Sequence, residues 1–220
     1  MKNPIKTFGD VRKAGRVKLV LTAGVLVAAT VAVTGATSTD FARLNFVGAT
    51  LVESPRFDIG IVRADGTVEQ ADKDGGFDWA VAGASDLVPG KSVSTTIPVF
   101  NNTYNLKADT SFQVVLRNGD GRVAPGVPTI LPFLRFTATD ETNKVIFTDV
   151  TWDQAKGALG VMEPRWGAVL NNGEQFTPAA SGSAKKLNLT IKYIDGPGVE
   201  NYNGGQAALS VRFDAVSAAP

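Results

Sequence analysis

Apolar and polar residues alternate along several stretches in the second half of the chain, the pattern of β-strands with one buried face. The clearest stretches are 111–116, 134–139, 186–193 and 209–214. Weaker candidates for strands are 44–52, 57–63, 77–81, 93–100 and 144–150. Outside the N-terminal region, the pattern favours a helix at one place only, residues 153–159.

Turn-forming residues separate these stretches, for example Asp65-Gly66, Pro89-Gly90 and Asn203-Gly204-Gly205. Glycine and asparagine accept the backbone angles at which a chain reverses. About eight to ten short strands over roughly 180 residues predict an all-β protein, a two-sheet antiparallel sandwich of jelly-roll type. The Gly- and Pro-rich loops 118–129 and 195–205 are the segments that we expect to be mobile or to contact partners.

The first 36 residues have a different pattern. Residues 1–18 hold six basic residues and one acidic residue, and an uncharged apolar run of 15 residues, 19–33, follows them. The small residues Thr34, Gly35 and Ala36 come next. This order is typical of a helical signal peptide, which we expect to be cleaved after Ala36. The alternative is an uncleaved anchor over 17–36, although a membrane span needs about 20 apolar residues.

The predicted domain organisation is therefore a signal peptide, 1–36, and a single β-sandwich domain, 37–220, that begins with an extended segment, 37–52. We expect a secreted protein at the cell surface or in an extracellular matrix, with no membrane span after cleavage. Removing the bases and the acid of residues 1–36 leaves the mature domain with four more acidic than basic residues. This charge balance argues against nucleic acid as a partner.

The composition excludes several kinds of chemistry. The chain has no His and no Cys. It therefore lacks an imidazole base, a thiolate nucleophile and the usual zinc ligands, and it cannot form disulfide bonds. Acid–base pairs such as Glu163 with Glu174, or Asp149 with Asp153, arise by chance in a chain with this many carboxylates. We therefore predict a protein that is not an enzyme and that binds no cofactor or metal.

Three further patterns have two interpretations each. The acidic stretch 72–75 with Asp78, and Asp120 between two glycines, could bind calcium or form polar turns. Asn101 and Asn188 each begin a sequence that matches the N-glycosylation pattern. This match has a function only in a host that glycosylates such sequences. The three tryptophans could form a sugar-stacking platform or pack against the core. Their positions are Trp79, Trp152 and Trp166.

Two stretches also resemble a known family. The first is TSTDFARLNFVGATLVESPRFDIGI after the apolar run, and the second is DLVPGKSVSTTIPVFNNTYNLKADTSFQV. They are similar to exported proteins that the alternate signal peptidase of Gram-positive bacteria processes. The family includes biofilm-matrix fibre subunits and camelysin-like surface proteins, with relatives among archaeal pili. The matching positions are Phe41, Phe46, Gly48, Thr50 and Leu51 in the first stretch, and Leu87, Pro89, Gly90, Ser92, Asn101, Asn102 and Thr103 in the second.

The resemblance implies a jelly-roll subunit that polymerises outside the cell or coats its surface. It covers the signal peptide and about the first third of the mature domain. The function expected from it is that of a non-enzymatic subunit of a fibre, a pilus-like filament or a biofilm matrix, with other copies of the chain as partners. The alternative is a secreted binding module for a glycan or another surface ligand. Some relatives are labelled metallopeptidases, an activity that a chain without His is not expected to share.

The extended segment 37–52 is the candidate for assembly. A free apolar strand at a terminus is unstable alone, so it pairs either within its own sheet or with the sheet edge of a neighbouring subunit. Apolar side chains on this segment would then fill pockets between the two sheets. The predicted assembly residues are Phe41, Leu44, Phe46, Val47, Leu51 and Val52.

Overall fold

The computed structural model describes residues 39–43, 57–72 and 76–218, and for 39–43 it describes the backbone alone. The predicted signal peptide, the strand at 44–52 and most of the extended segment 37–52 lie outside these residues. The described chain forms ten strands joined by turns and three short 3₁₀ turns. The strands are β1 (Thr39–Arg43), β2 (Ile59–Val62), β3 (Val68–Glu69), β4 (Ser92–Asn101), β5 (Lys107–Leu116), β6 (Leu134–Thr139), β7 (Val145–Val150), β8 (Lys156–Met162), β9 (Ala184–Tyr193) and β10 (Leu209–Ala218).

The strands form two antiparallel sheets that pack as a sandwich, as the alternating pattern predicts. Six strands make one sheet in the order β3-β2-β4-β9-β6-β7. The other sheet contains β10, β5 and β8, and the backbone of β1 adds to it along β10. Most neighbouring strands are far apart in sequence, as in the pairing of β4 with β9 and of β5 with β10. The 3₁₀ turns are Ala84–Asp86, Leu131–Phe133 and Val199–Tyr202.

The core lies between the inner faces of the two sheets. Phe112 and Phe213 come from neighbouring strands of one sheet, with ring centroids 6.3 Å apart, and both are buried. Phe112 also faces Phe147 of the opposite sheet at 5.8 Å. Burying a phenylalanine fully contributes roughly 1.5–3 kcal/mol, so Phe112 and Phe213 each add that much to the packing of the two sheets. Further buried residues of the core include Ile97, Val99, Val114, Phe136, Leu187 and Leu189.

The outer faces carry polar residues that are bonded across strands. Ser94 Oγ lies 2.8 Å from Thr190 Oγ1, and Thr96 Oγ1 donates to Asn188 Oδ1 at 2.8 Å. This division between an apolar inner face and a polar outer face explains why alternation predicted these strands.

Two predictions from the pattern are wrong. The expected helix over 153–159 is a turn followed by β8, because Lys156 to Met162 pair with β5 instead of bonding within a helix. The expected strand 77–81 is irregular, although Phe77 and Trp79 still pack against the core. The loops 118–129 and 195–205 do connect strands, as predicted.

The sandwich depends on a close approach between β8 and β7, which belong to different sheets. Gly157 of β8 pairs with Phe112, and a Cβ atom at Gly157 would overlap Ile146 Cγ2 of β7. We expect Gly157→Ala to lower the free energy of unfolding by about 1–3 kcal/mol, since an added methyl forces the two sheets apart. Chemical denaturation of the purified domain measures this change.

Gly196→Ala is the matched control. Nothing lies within 4 Å of a Cβ at Gly196, whose backbone is outside the left-handed region. We expect this variant to stay within about 0.5 kcal/mol of the parent or to be slightly more stable. Equal losses in both variants would contradict the close approach at Gly157.

Candidate functional site

The connection from β4 to β5 begins with a buried polar turn at one end of the sandwich. Asn101, Asn102 and Thr103 are 0%, 0% and 1% exposed. Asn101 Nδ2 donates to Leu106 O at 2.7 Å and to Glu163 O at 3.1 Å, and Asn101 Oδ1 accepts from Thr103 N at 3.0 Å. Because buried polar groups are costly without partners, these bonds fix the path of the turn.

Asn102 ties this turn to two other segments. Its amide nitrogen donates to Asp58 Oδ2 and to Leu170 O, both at 2.8 Å, and its amide oxygen accepts from Leu170 N at 2.9 Å. Thr103 Oγ1 accepts from Asp58 N at 2.9 Å. The turn, the chain entering β2 and the loop at Leu170 are therefore held as one polar cluster.

The cluster makes Asn101, the first residue of one glycosylation pattern, inaccessible in the folded domain. The side chain of Asn101 is enclosed and bonded, so the folded domain does not offer it to a modifying enzyme. Asn188 lies on the outer face of β9, where its amide donates to Asp140 O at 2.9 Å.

The loop after β8 carries a buried guanidinium. Arg165 is 4% exposed, and its main-chain N donates to Thr103 O at 2.9 Å. Its Nε donates to Ala168 O at 2.9 Å, and its Nη2 donates to Thr177 O and Oγ1 at 2.7 and 2.8 Å. The guanidinium lies near the rings of Phe100 and Phe176, and this desolvation lowers the pKa of Arg165. Arg165 thus joins the two arms of the loop, 165–168 and 177–180.

An exposed aromatic pair stands beside these arms. Tyr104 and Trp166 are each 54% exposed, and their ring centroids lie 5.7 Å apart at an interplanar angle of 76°. Trp166 N donates to Tyr104 O at 3.0 Å, and Trp166 has a φ of +53°, in the left-handed region. A cavity of about 470 Å³ opens between the arms, lined by Arg165, Trp166, Thr177 and Pro178 among others.

The other two tryptophans follow the packing interpretation. Trp79 packs on the core, and its Nε1 donates to Thr95 Oγ1 at 2.8 Å. Trp152 is half-buried against the same core. Of the three, Trp166 alone is exposed, so a platform built from all three does not form. Sequence reasoning missed Tyr104 and Arg165, since no local pattern distinguishes them.

The predicted loops line a groove at the opposite end of the sandwich. Val123 of one loop and Tyr202 of the other border a cavity of about 710 Å³, together with Val88 and Pro89 before β4. Val88 and Val123 are about half exposed. Tyr202 packs on Phe133, with ring centroids 5.0 Å apart, so this side of the groove has a fixed wall.

The acidic residues named from the sequence lie in turns and ion pairs. Asp78 contacts Arg117 at 3.2 Å, Asp120 contacts Arg122 at 3.4 Å, and Glu163 contacts Lys107 at 3.3 Å. Asp72 is exposed, and 73–75 lie outside the described residues. Among the residues that the structure describes, no three His, Cys, Asp or Glu side chains gather as metal ligands.

Hydrogen bonds lower the pKa of two of the carboxyl groups named from the sequence. The Thr151 hydroxyl lowers the pKa of Asp153, and the side chain and main chain of Asn171 lower the pKa of Glu174. A general acid for glycoside hydrolysis needs a raised pKa, the opposite change.

The predicted assembly strand is described only in part. The backbone of β1 pairs with β10 of the same chain, and Phe41 is the partner of Asp214. The five residues of β1 cover half of the ten residues of β10 along that edge. The remaining assembly residues, Leu44, Phe46, Val47, Leu51 and Val52, and the predicted cleavage position, Ala36, lie outside the described residues.

Comparison with known proteins identifies no relative: no protein family, curated protein or solved structure matches the chain. Within the part that the structure describes, no helix is long and apolar enough to cross a bilayer.

The polar cluster makes a pH-dependent prediction. Asn102→Asp places a second carboxyl group against Asp58, and the repulsion raises the pKa of the new group in the folded state. Because the folded state then favours the protonated form, which still supplies one of the two donors of the amide, the stability loss is smallest near pH 3.5. It grows with pH to about 2–4 kcal/mol at pH 7. Denaturant unfolding at several pH values measures the difference from the parent.

Asn105→Asp is the control, because Asn105 is exposed in the same connection. Its stability relative to the parent should change little between these pH values. A loss in Asn102→Asp that does not depend on pH would argue against contact with the Asp58 carboxylate.

Proposed function

We propose that the protein is a non-enzymatic structural subunit of an extracellular fibre, a pilus-like filament or a biofilm matrix, exported and cleaved after Ala36. The observation that carries this proposal is the place of β1. The first strand of the described chain lies at the edge of a sheet, against β10, the last strand. An edge strand beside a chain terminus can be exchanged between copies without unfolding the rest of the sandwich.

Assembly by strand addition follows from this arrangement. The edge of β10 presents main-chain N–H and C=O groups, which β1 of the same chain or of a neighbouring copy can satisfy in the same antiparallel register. When each subunit donates its strand to the next, the contact is head-to-tail and does not close, so a filament results. Cleavage of the signal peptide would release the donor end and start assembly.

The strand pairing supports a jelly roll as the finer description of the sandwich. Without the short pair β2–β3, eight strands remain. The first of these pairs with the last (β1·β10), the second with the seventh (β4·β9), the third with the sixth (β5·β8) and the fourth with the fifth (β6·β7). This is the pairing of one long hairpin rolled into two sheets. It agrees with the fold that the family resemblance implies.

A surface binding module is the second candidate function. The observation that favours it is the exposed pair Tyr104 and Trp166 beside an open cavity. The two functions are compatible, since a matrix subunit can both polymerise and bind a ligand.

Cysteine cross-linking tests strand addition directly, because the natural chain has no Cys. Thr39 of β1 and Val216 of β10 are register partners. Opposed residues in antiparallel strands bring their Cα atoms to about 4.5–5.5 Å, within the range of a disulfide. Under oxidation, we expect the double variant Thr39→Cys/Val216→Cys to form a ladder of covalent multimers on a denaturing gel without reductant.

The single variants Thr39→Cys and Val216→Cys are the controls, and each can form dimers at most. If the double variant instead gives a monomer with an internal disulfide under conditions in which filaments form, β1 stays in its own subunit and strand addition is wrong. Deleting residues 37–46 should leave a folded monomer that no longer polymerises.

Export can be tested separately. Mass spectrometry of the culture medium and of the cell surface should find a chain that has lost about 36 residues, because a basic region and an apolar run precede small residues at the cleavage position. An intact N-terminus on a membrane-bound species would contradict cleavage. The variant Ala36→Asp should reduce processing, since the peptidase needs a small residue there.

A further inference from the structure

The exposed aromatic pair is unusual for a surface that has no role. Large aromatic side chains bury well, yet Tyr104 and Trp166 each leave about half of their surface to solvent. The two rings meet edge to face at 5.7 Å, so each fixes the orientation of the other. The result is a small apolar platform on the surface of the domain.

The backbone at Trp166 is strained. A φ of +53° is rare for a bulky side chain, because Cβ crowds the neighbouring carbonyl, and such positions cluster at functional sites. The surrounding structure imposes this conformation. Hydrogen bonds from Arg165 N to Thr103 O and from Trp166 N to Tyr104 O hold the chain that enters this residue, and Arg165 Nε donates to Ala168 O in the chain that leaves it. Glycine would adopt the same backbone without strain, so a tryptophan at this position lowers the stability of the fold relative to glycine.

The cavity beside the platform is lined mostly by small and uncharged residues. Small residues, Gly167, Ala168, Ala179 and Ala180, leave room in it, and Pro178 adds an apolar wall. Arg165 is the one charged residue among those that line the cavity, and it is buried and bonded to main-chain carbonyls. Its Nη1 makes no hydrogen bond to any residue that the structure describes, which leaves the two N–H groups of this nitrogen for a ligand. A volume of about 470 Å³ lies within the usual range for small-molecule sites.

Resting on the second candidate function, that of a binding module, we propose that Tyr104, Trp166 and this cavity bind a neutral saccharide. The C–H face of a pyranose ring is apolar and stacks on an aromatic ring, while its hydroxyl groups take hydrogen bonds from a guanidinium or give them to carbonyl oxygens. The site offers both kinds of contact within one loop. Anionic ligands are not favoured, since no exposed cation lines the cavity, and the platform of two rings is small for a protein interface.

The test measures binding of neutral oligosaccharides to the secreted protein. Hexasaccharides of glucose, xylose, mannose and N-acetylglucosamine are titrated separately, by calorimetry and by tryptophan fluorescence. We expect at least one to bind, and the Kd to rise about tenfold or more in Trp166→Gly and in Tyr104→Ala, since losing about 1.4 kcal/mol of stacking is a tenfold change. Val161→Ala, which shortens a similarly exposed side chain on β8, should leave the Kd unchanged.

The glycine variant also separates binding from folding. It removes the ring and relieves the backbone strain, so its melting temperature should stay within about 2 °C of the parent. The proposal is overturned if no hexasaccharide binds at millimolar concentration, or if Trp166→Gly binds as tightly as the parent. A Trp166→Gly variant that keeps its saccharide affinity but no longer forms filaments would assign the pair to contact between copies, and this also overturns the proposal.

Discussion

The buried amide of Asn102 is the contact on which one end of the molecule depends. It lies where the chain leaves the six-stranded sheet for the opposite one, and it uses both its donor and its acceptor on segments that are distant in sequence, Asp58 and Leu170. Without it, buried main-chain groups would lose their partners, at about 1–3 kcal/mol for each. The loop that carries Arg165 and Trp166 takes its position from this same corner, through the bond from Arg165 N to Thr103 O.

The edge strands of the two sheets differ in length and in what covers them. On one side of the sandwich, Gly157 lets β8 approach β7, so these two edges lie against each other. The edge strand β3 has only two residues, which leaves little main chain to recruit another strand. The edge of β10 is long, and β1 covers half of it. The first described strand therefore pairs along the longest of these edges.

Alternation predicted β5, β6, β9 and β10 because each of these strands has one buried and one solvent-exposed face, whereas the stretch that forms β4 was only a weaker candidate. It failed at β8, where Gly157 and Gly160 interrupt the apolar face and the register with β5 shifts between Thr110 and Ser111. The strand order was beyond any local pattern, since the pairs join residues from distant parts of the chain. The candidate site was equally hidden: Trp166 was one of three possible tryptophans, and only tertiary packing distinguishes it from Trp79 and Trp152.

The pairing of β1 with β10 also has a consequence for folding kinetics. The partners lie near opposite ends of the described residues, so this is among the contacts with the highest sequence separation, and high contact order slows folding. Among the described strands β10 comes last in sequence, so β1 can find this partner only after the strands between them have been made. The pairing of β1 with β10 can thus form after the rest of the described sandwich has folded.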